Sequence, residues 1–170
     1  CAAVTETGGL LSHAAVLCRE LGIPAVLNVP GATRALRDGK VKTLVVLGGN
    51  PAYDGPVDLD FASEAARAEE LMQLGTHVDE AAAIASWHVP RAHFLESWDD
   101  ARASCGTMSV VQPLILPLYG GKSAVEVMGL LAGSEDRPGY DLVRETWRAV
   151  LGEADFERRW NRVLHDGLLA

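Results

Sequence analysis

The segment Thr5-Glu6-Thr7-Gly8-Gly9-Leu10-Leu11-Ser12-His13-Ala14-Ala15 gathers residue types able to hold and carry a phosphoryl group. Glycines let the backbone come close to a ligand. Ser12 can cap a helix starting at His13, and a helix start presents unpaired N–H groups and a positive dipole end. A histidine there can carry a phosphoryl group whose charge meets those donors. The helix end also disfavours the imidazolium, which keeps a ring nitrogen available as a nucleophile. On spacing alone the pattern equally describes a surface histidine near a helix start, the more ordinary arrangement.

A second candidate is the turn Gly48-Gly49-Asn50-Pro51, which follows the apolar run Val41–Leu47. Ligands of open α/β sheets bind at the carboxyl ends of strands, so Gly48, Gly49 and Asn50 are candidate cofactor-binding residues. The alternative is a strand-ending turn in which Asn and Pro only set dihedrals. His88, His93 and Glu96 tempt a metal assignment, but Pro90 would interrupt a helix between the histidines, so they need not share a face. His77, Asp79 and Glu80 read as a solvated loop. Cys1, Cys18 and Cys105 are unclustered, which gives neither an iron–sulfur nor a structural zinc site. We expect no metal site, and an odd thiol count without a framework fits a reducing compartment.

The elements that must position these residues alternate. Strands are expected at Ala2–Thr5, Ala25–Asn28, Val41–Leu47 and Ser109–Gln112. Helices are expected at His13 to about Leu21, near Leu59–Leu71, and at Ser123–Leu131, Asp141–Leu151 and Asp155–His165, with a turn or short helix at Gly31–Leu36. This alternation predicts an α/β fold. Trp87, Trp98, Trp147 and Trp160 read as core or interface anchors.

The net charge of −8 argues against nucleic-acid binding, which needs clustered cations. The apolar fraction of 48% is that of a core-forming chain. No apolar stretch reaches the roughly 18 residues of a membrane span, and no basic-then-apolar leader precedes Cys1. A chain of 170 residues without an initiator Met reads as part of something longer. Charge divides unevenly: residues 1–40 carry four cations and three anions, net +1, which leaves −9 and every tryptophan to residues 41–170. The shift near Lys40 is the one candidate seam.

Thr5 to Asp38 resembles the phosphohistidine swivelling, or mobile, domain of phosphoenolpyruvate-utilising enzymes. Gly8-Gly9, Ser12-His13-Ala14-Ala15, Arg19-Glu20, Gly22-Ile23-Pro24-Ala25-Val26 and Gly31-Ala32-Thr33 fall in order at family spacing. The resemblance implies that His13 is phosphorylated and that Thr5, Gly8, Gly9 and Ser12 shape the phosphate pocket. It also implies ATP-binding and phosphoenolpyruvate-binding partner domains, with Mg and phosphoenolpyruvate or ATP as their ligands and a cytoplasmic setting. Leu11 stands where several members have Thr, and Cys18 where Ala is usual.

Residues 41–170 resemble another family, the molybdopterin-oxidoreductase-like region of the iron–sulfur subunit of alternative complex III. VKTLVVLGGNPAYDGPVDLDF and DEAAAIASWHVPRAHFLESWDDARASCGTMSVVQPLILPLYGGKSAVEV carry the likeness. It implies a scaffold that has lost its pterin, packs against other subunits of a membrane electron-transfer complex and is membrane-associated through them.

The expected organisation is therefore a partial swivelling β/α unit at 1–40 followed by a partial molybdopterin-oxidoreductase-like α/β domain at 41–170, an apparent fusion. The leading functional expectation is a fragment of a quinol oxidoreductase subunit with no cofactor of its own. The alternatives are a phosphoryl carrier acting through His13 and an inactive truncated chimera.

Overall fold

The computed structural model describes residues 3–5, 25–27, 31–55, 60–103 and 105–169. The described residues form three sheets. β1 (Ala3–Thr5) and β2 (Ala25–Leu27) pair in parallel, with Ala3 opposite Ala25 and Thr5 opposite Leu27. A parallel pair needs a crossover connection of a dozen or more residues. The chain between the two strands, residues 6–24, has that length and lies outside the described residues, as does the expected helix from His13.

α1 (Ala32–Arg37) leads to β3 (Thr43–Leu47), which pairs in parallel with β4 (Glu70–Gly75); β4 pairs in parallel with β5 (Trp87–Pro90). The short helices α2 (Pro51–Asp54), α3 (Phe61–Ala65) and α4 (Glu80–Ile84) fill the connections. The segment of α1 is packed: Leu36 is buried, and Arg37 pairs with Glu64 of α3 at 3.4 Å, an interaction that crosses the expected seam at Lys40.

The expected mixture of strands and helices is present, but the strand expected from Val41 begins at Thr43, the strands Trp87–Pro90, Asp99–Arg102 and Leu168–Leu169 were not expected, and one helix is cut short. The helix expected through Leu71 ends at Ala65, and Glu70–Gly75 is a strand. Glu, Leu, Met and Gln are good helix formers, so propensity points the wrong way here. Burial on both faces between two parallel neighbours outweighs it: Leu71, Gln73 and Leu74 are all buried. The strand β5 carries His88 in a stretch where no element was expected. Pro90 stands at its last position, where a missing N–H is tolerated on an edge strand.

The third sheet is antiparallel and orders β6 (Asp99–Arg102), β7 (Met108–Val111) and β8 (Leu168–Leu169). α5 (Ala124–Leu131), α6 (Gly139–Leu151) and α7 (Phe156–Asp166) fall where the sequence reading put them, to within two residues. Apolar residues four apart on α6 (Val143, Trp147, Leu151) and at Phe156, Trp160 and Val163 of α7 form one cluster with Met108 and Val110 of β7. Trp147 and Trp160 meet at 5.9 Å between ring centroids, and Arg148 covers the Phe156 ring at 4.4 Å.

A reciprocal cap starts α5. The Ser123 hydroxyl accepts from the Glu126 N–H at 3.1 Å, and the Glu126 carboxylate accepts from the Ser123 N–H at 2.8 Å. The same carboxylate accepts from the Gly139 N–H at 3.1 Å, so one side chain serves the starts of α5 and α6. Ser123→Ala is expected to cost about 1 kcal/mol, seen as a lower urea midpoint at unchanged slope.

Candidate functional site

Of the residues assigned to the phosphate pocket, only Thr5 lies within the described residues. It ends β1, so the segment that bears His13 leaves from the carboxyl end of a parallel strand. Gly8, Gly9, Ser12 and His13 lie outside the described residues.

The second candidate is fully described. Gly48 and Gly49 both take left-handed backbone angles, φ +81° and +77°, and end β3. The Arg91 guanidinium crosses from the end of β5 to cover Gly48, where a Cβ would push it aside. The Gly48 N–H donates to the Leu74 carbonyl at 2.9 Å, and the Arg91 N–H to the Gly75 carbonyl at 2.9 Å. The three strand ends are thus locked at one level.

Asn50 is spent within the protein. Its Nδ2 donates to Glu80 Oε2 at 2.6 Å, and its Oδ1 accepts from the Ala81 N–H at 3.2 Å. The side chain fastens the turn after β3 to the start of α4. Asp79 and Glu80, read from sequence as a solvated loop, open that helix. Asp79 caps it by accepting from the Ala82 N–H at 2.9 Å.

Beneath this edge runs a chain that sequence reasoning missed. Gln73 is fully buried; its Nε2 donates to Asp79 Oδ1 at 2.9 Å, and its Oε1 lies 2.9 Å from His88 Nδ1. With the amide so oriented, His88 Nδ1 carries the proton and donates. His88 and His93 are not brought together: His93 lies in a turn, where its N–H donates to Glu96 Oε2 at 3.0 Å. Gln73 and His88 are fifteen residues apart, and only the β4–β5 register aligns them.

The Ala82 N–H, with the Gln73 amide, holds the Asp79 carboxyl below its ordinary value of 3.8. A depressed carboxyl stabilises the fold above its unfolded pKa, and the contribution is lost as pH falls through the folded value. Asn caps helices as well as Asp does but does not titrate. Asp79→Asn is therefore expected to flatten the loss of melting temperature below about pH 4, measured against the parent chain across an acid series.

Cys105 is a free, exposed thiol whose Sγ lies 3.3 Å from Thr107 Oγ1. Among the described residues no helix is long and apolar enough to cross a membrane, and no three His, Cys, Asp or Glu side chains gather as a metal would require.

Comparison with known proteins bears on the first candidate. Residues 1–50 match the family model of the PEP-utilising enzyme, mobile domain. The match therefore runs past Lys40 to include β3 and the Gly48-Gly49-Asn50 turn. The chain is 44% identical over 70 residues to a phosphoenolpyruvate synthase of Aeropyrum pernix, covering 41% of this chain and 8% of that protein. It is 37% identical over 73 residues to the phosphoenolpyruvate synthase of Escherichia coli, covering 43% of this chain and 9% of that one. To a rifampicin phosphotransferase of Streptomyces sviceus it is 60% identical over 37 residues, 22% of this chain and 4% of the relative. The chain thus spans less than a tenth of each of these relatives. These matches support the phosphohistidine resemblance; they lend nothing to the quinol oxidoreductase one.

Proposed function

We propose that the N-terminal part of this chain is a phosphoryl-carrier module of a phosphoenolpyruvate-utilising phosphotransferase, with His13 as the phosphorylated residue. This reverses the order of the two readings drawn from sequence. The observation that carries it is the family match over residues 1–50. The parallel β1–β2 pair supports it by making the His13 segment a connection that departs from a strand end.

In the proposed step a ring nitrogen of His13 attacks phosphorus. The N–P bond forms as the P–O bond to the enol oxygen of phosphoenolpyruvate breaks, and the enolate leaves to be protonated as pyruvate. Thr5, Gly8, Gly9 and Ser12 would surround the phosphoryl oxygens with hydroxyl and backbone donors. Phosphoenolpyruvate or ATP, with Mg, would be held by partner domains of the longer protein, and the setting would be cytoplasmic. The test is incubation with phosphoenolpyruvate radiolabelled at phosphorus, together with the phosphoenolpyruvate-binding domain of a relative. A chain that takes up no label overturns the proposal.

For residues 41–170 a second reading rests on their resemblance to the quinol oxidoreductase subunit: a scaffold without a cofactor of its own. The observation favouring a scaffold is Asn50, whose amide is satisfied by Glu80 and Ala81. On that reading Gly48, Gly49 and Asn50 are vestiges of a cofactor site, and the chain joins two parts near Lys40. Amplifying the uninterrupted gene across the codons for residues 30–50 tests the join; two separate products would refute it.

A further inference from the structure

We draw no further inference here: the strongest candidate, the loop between β7 and α5 with its exposed Leu114, Leu116, Leu118 and Tyr119, carries no proposal because nothing in the structure shows what covers it.

Discussion

His13→Ala is expected to abolish phosphoryl incorporation from labelled phosphoenolpyruvate, leaving only background in the presence of the phosphoenolpyruvate-binding domain. Alanine has no lone pair to form the N–P bond, so the loss is of the acceptor itself. A phosphohistidine is lost in acid and survives alkali, the reverse of a serine or threonine phosphate, so the stability of the parent's label identifies the bond. Ser12→Ala should have a graded effect. Losing one hydrogen bond to a charged group is worth about 1.5–3 kcal/mol, or roughly a ten- to hundredfold slower transfer. Label that persists in His13→Ala would move the assignment to another nucleophile. His88 is the first to examine, because Gln73 fixes its Nδ1 as the donor.

The second large effect concerns stability. Trp147 is fully buried within the cluster that unites α6, α7 and β7, and its ring meets Trp160 in a tilted contact. Trp147→Ala is expected to cost about 3–5 kcal/mol through lost transfer energy and the cavity left behind. In a chain of this size each kcal/mol is worth roughly 2–4 °C in melting temperature, so the transition should fall by about 6–20 °C. Trp147 Nε1 has no hydrogen-bond partner among the described residues. Trp147→Phe gives up part of the ring but also removes that unpaired donor, an offset of about 1–3 kcal/mol. The phenylalanine variant should therefore melt well above the alanine variant in a calorimetric scan. Equal melting of the two would show that ring packing at this position is not what holds the cluster.

The helices of residues 123–166 were legible because their signals are local. Ser123 with Glu126 is a capping box that spans four residues, and the spacing of Val143, Trp147 and Leu151 repeats along one helix face. β3 was legible for a similar reason, since a continuous apolar run closed by two glycines needs no distant partner to be recognised. β4 was not. Its residues favour a helix, and they become a strand because β3 and β5 flank them with parallel backbone partners.

The same division holds for the sites. The residue types around His13 and their order are properties of the sequence, and the family match over residues 1–50 reads that order directly. Gly48 and Gly49 were also singled out from sequence, as a pair at the carboxyl end of a strand, and the structure gives both a positive φ. That Asn50 fastens α4 was not visible, because Glu80 and Ala81 stand thirty residues away. Nor was the buried link from Asp79 through Gln73 to His88. Sequence by itself determined which residue types are candidates for chemistry and where the chain turns, because glycine, proline, capping groups and helical spacing act within a few residues. Tertiary structure alone decided which polar side chains face each other and which apolar ones face water. The outward loop at Leu114–Tyr119 shows the reason: its composition reads as core, yet its side chains are exposed, and its N–H groups are tied to Leu95 and Glu96, outside its own stretch of chain.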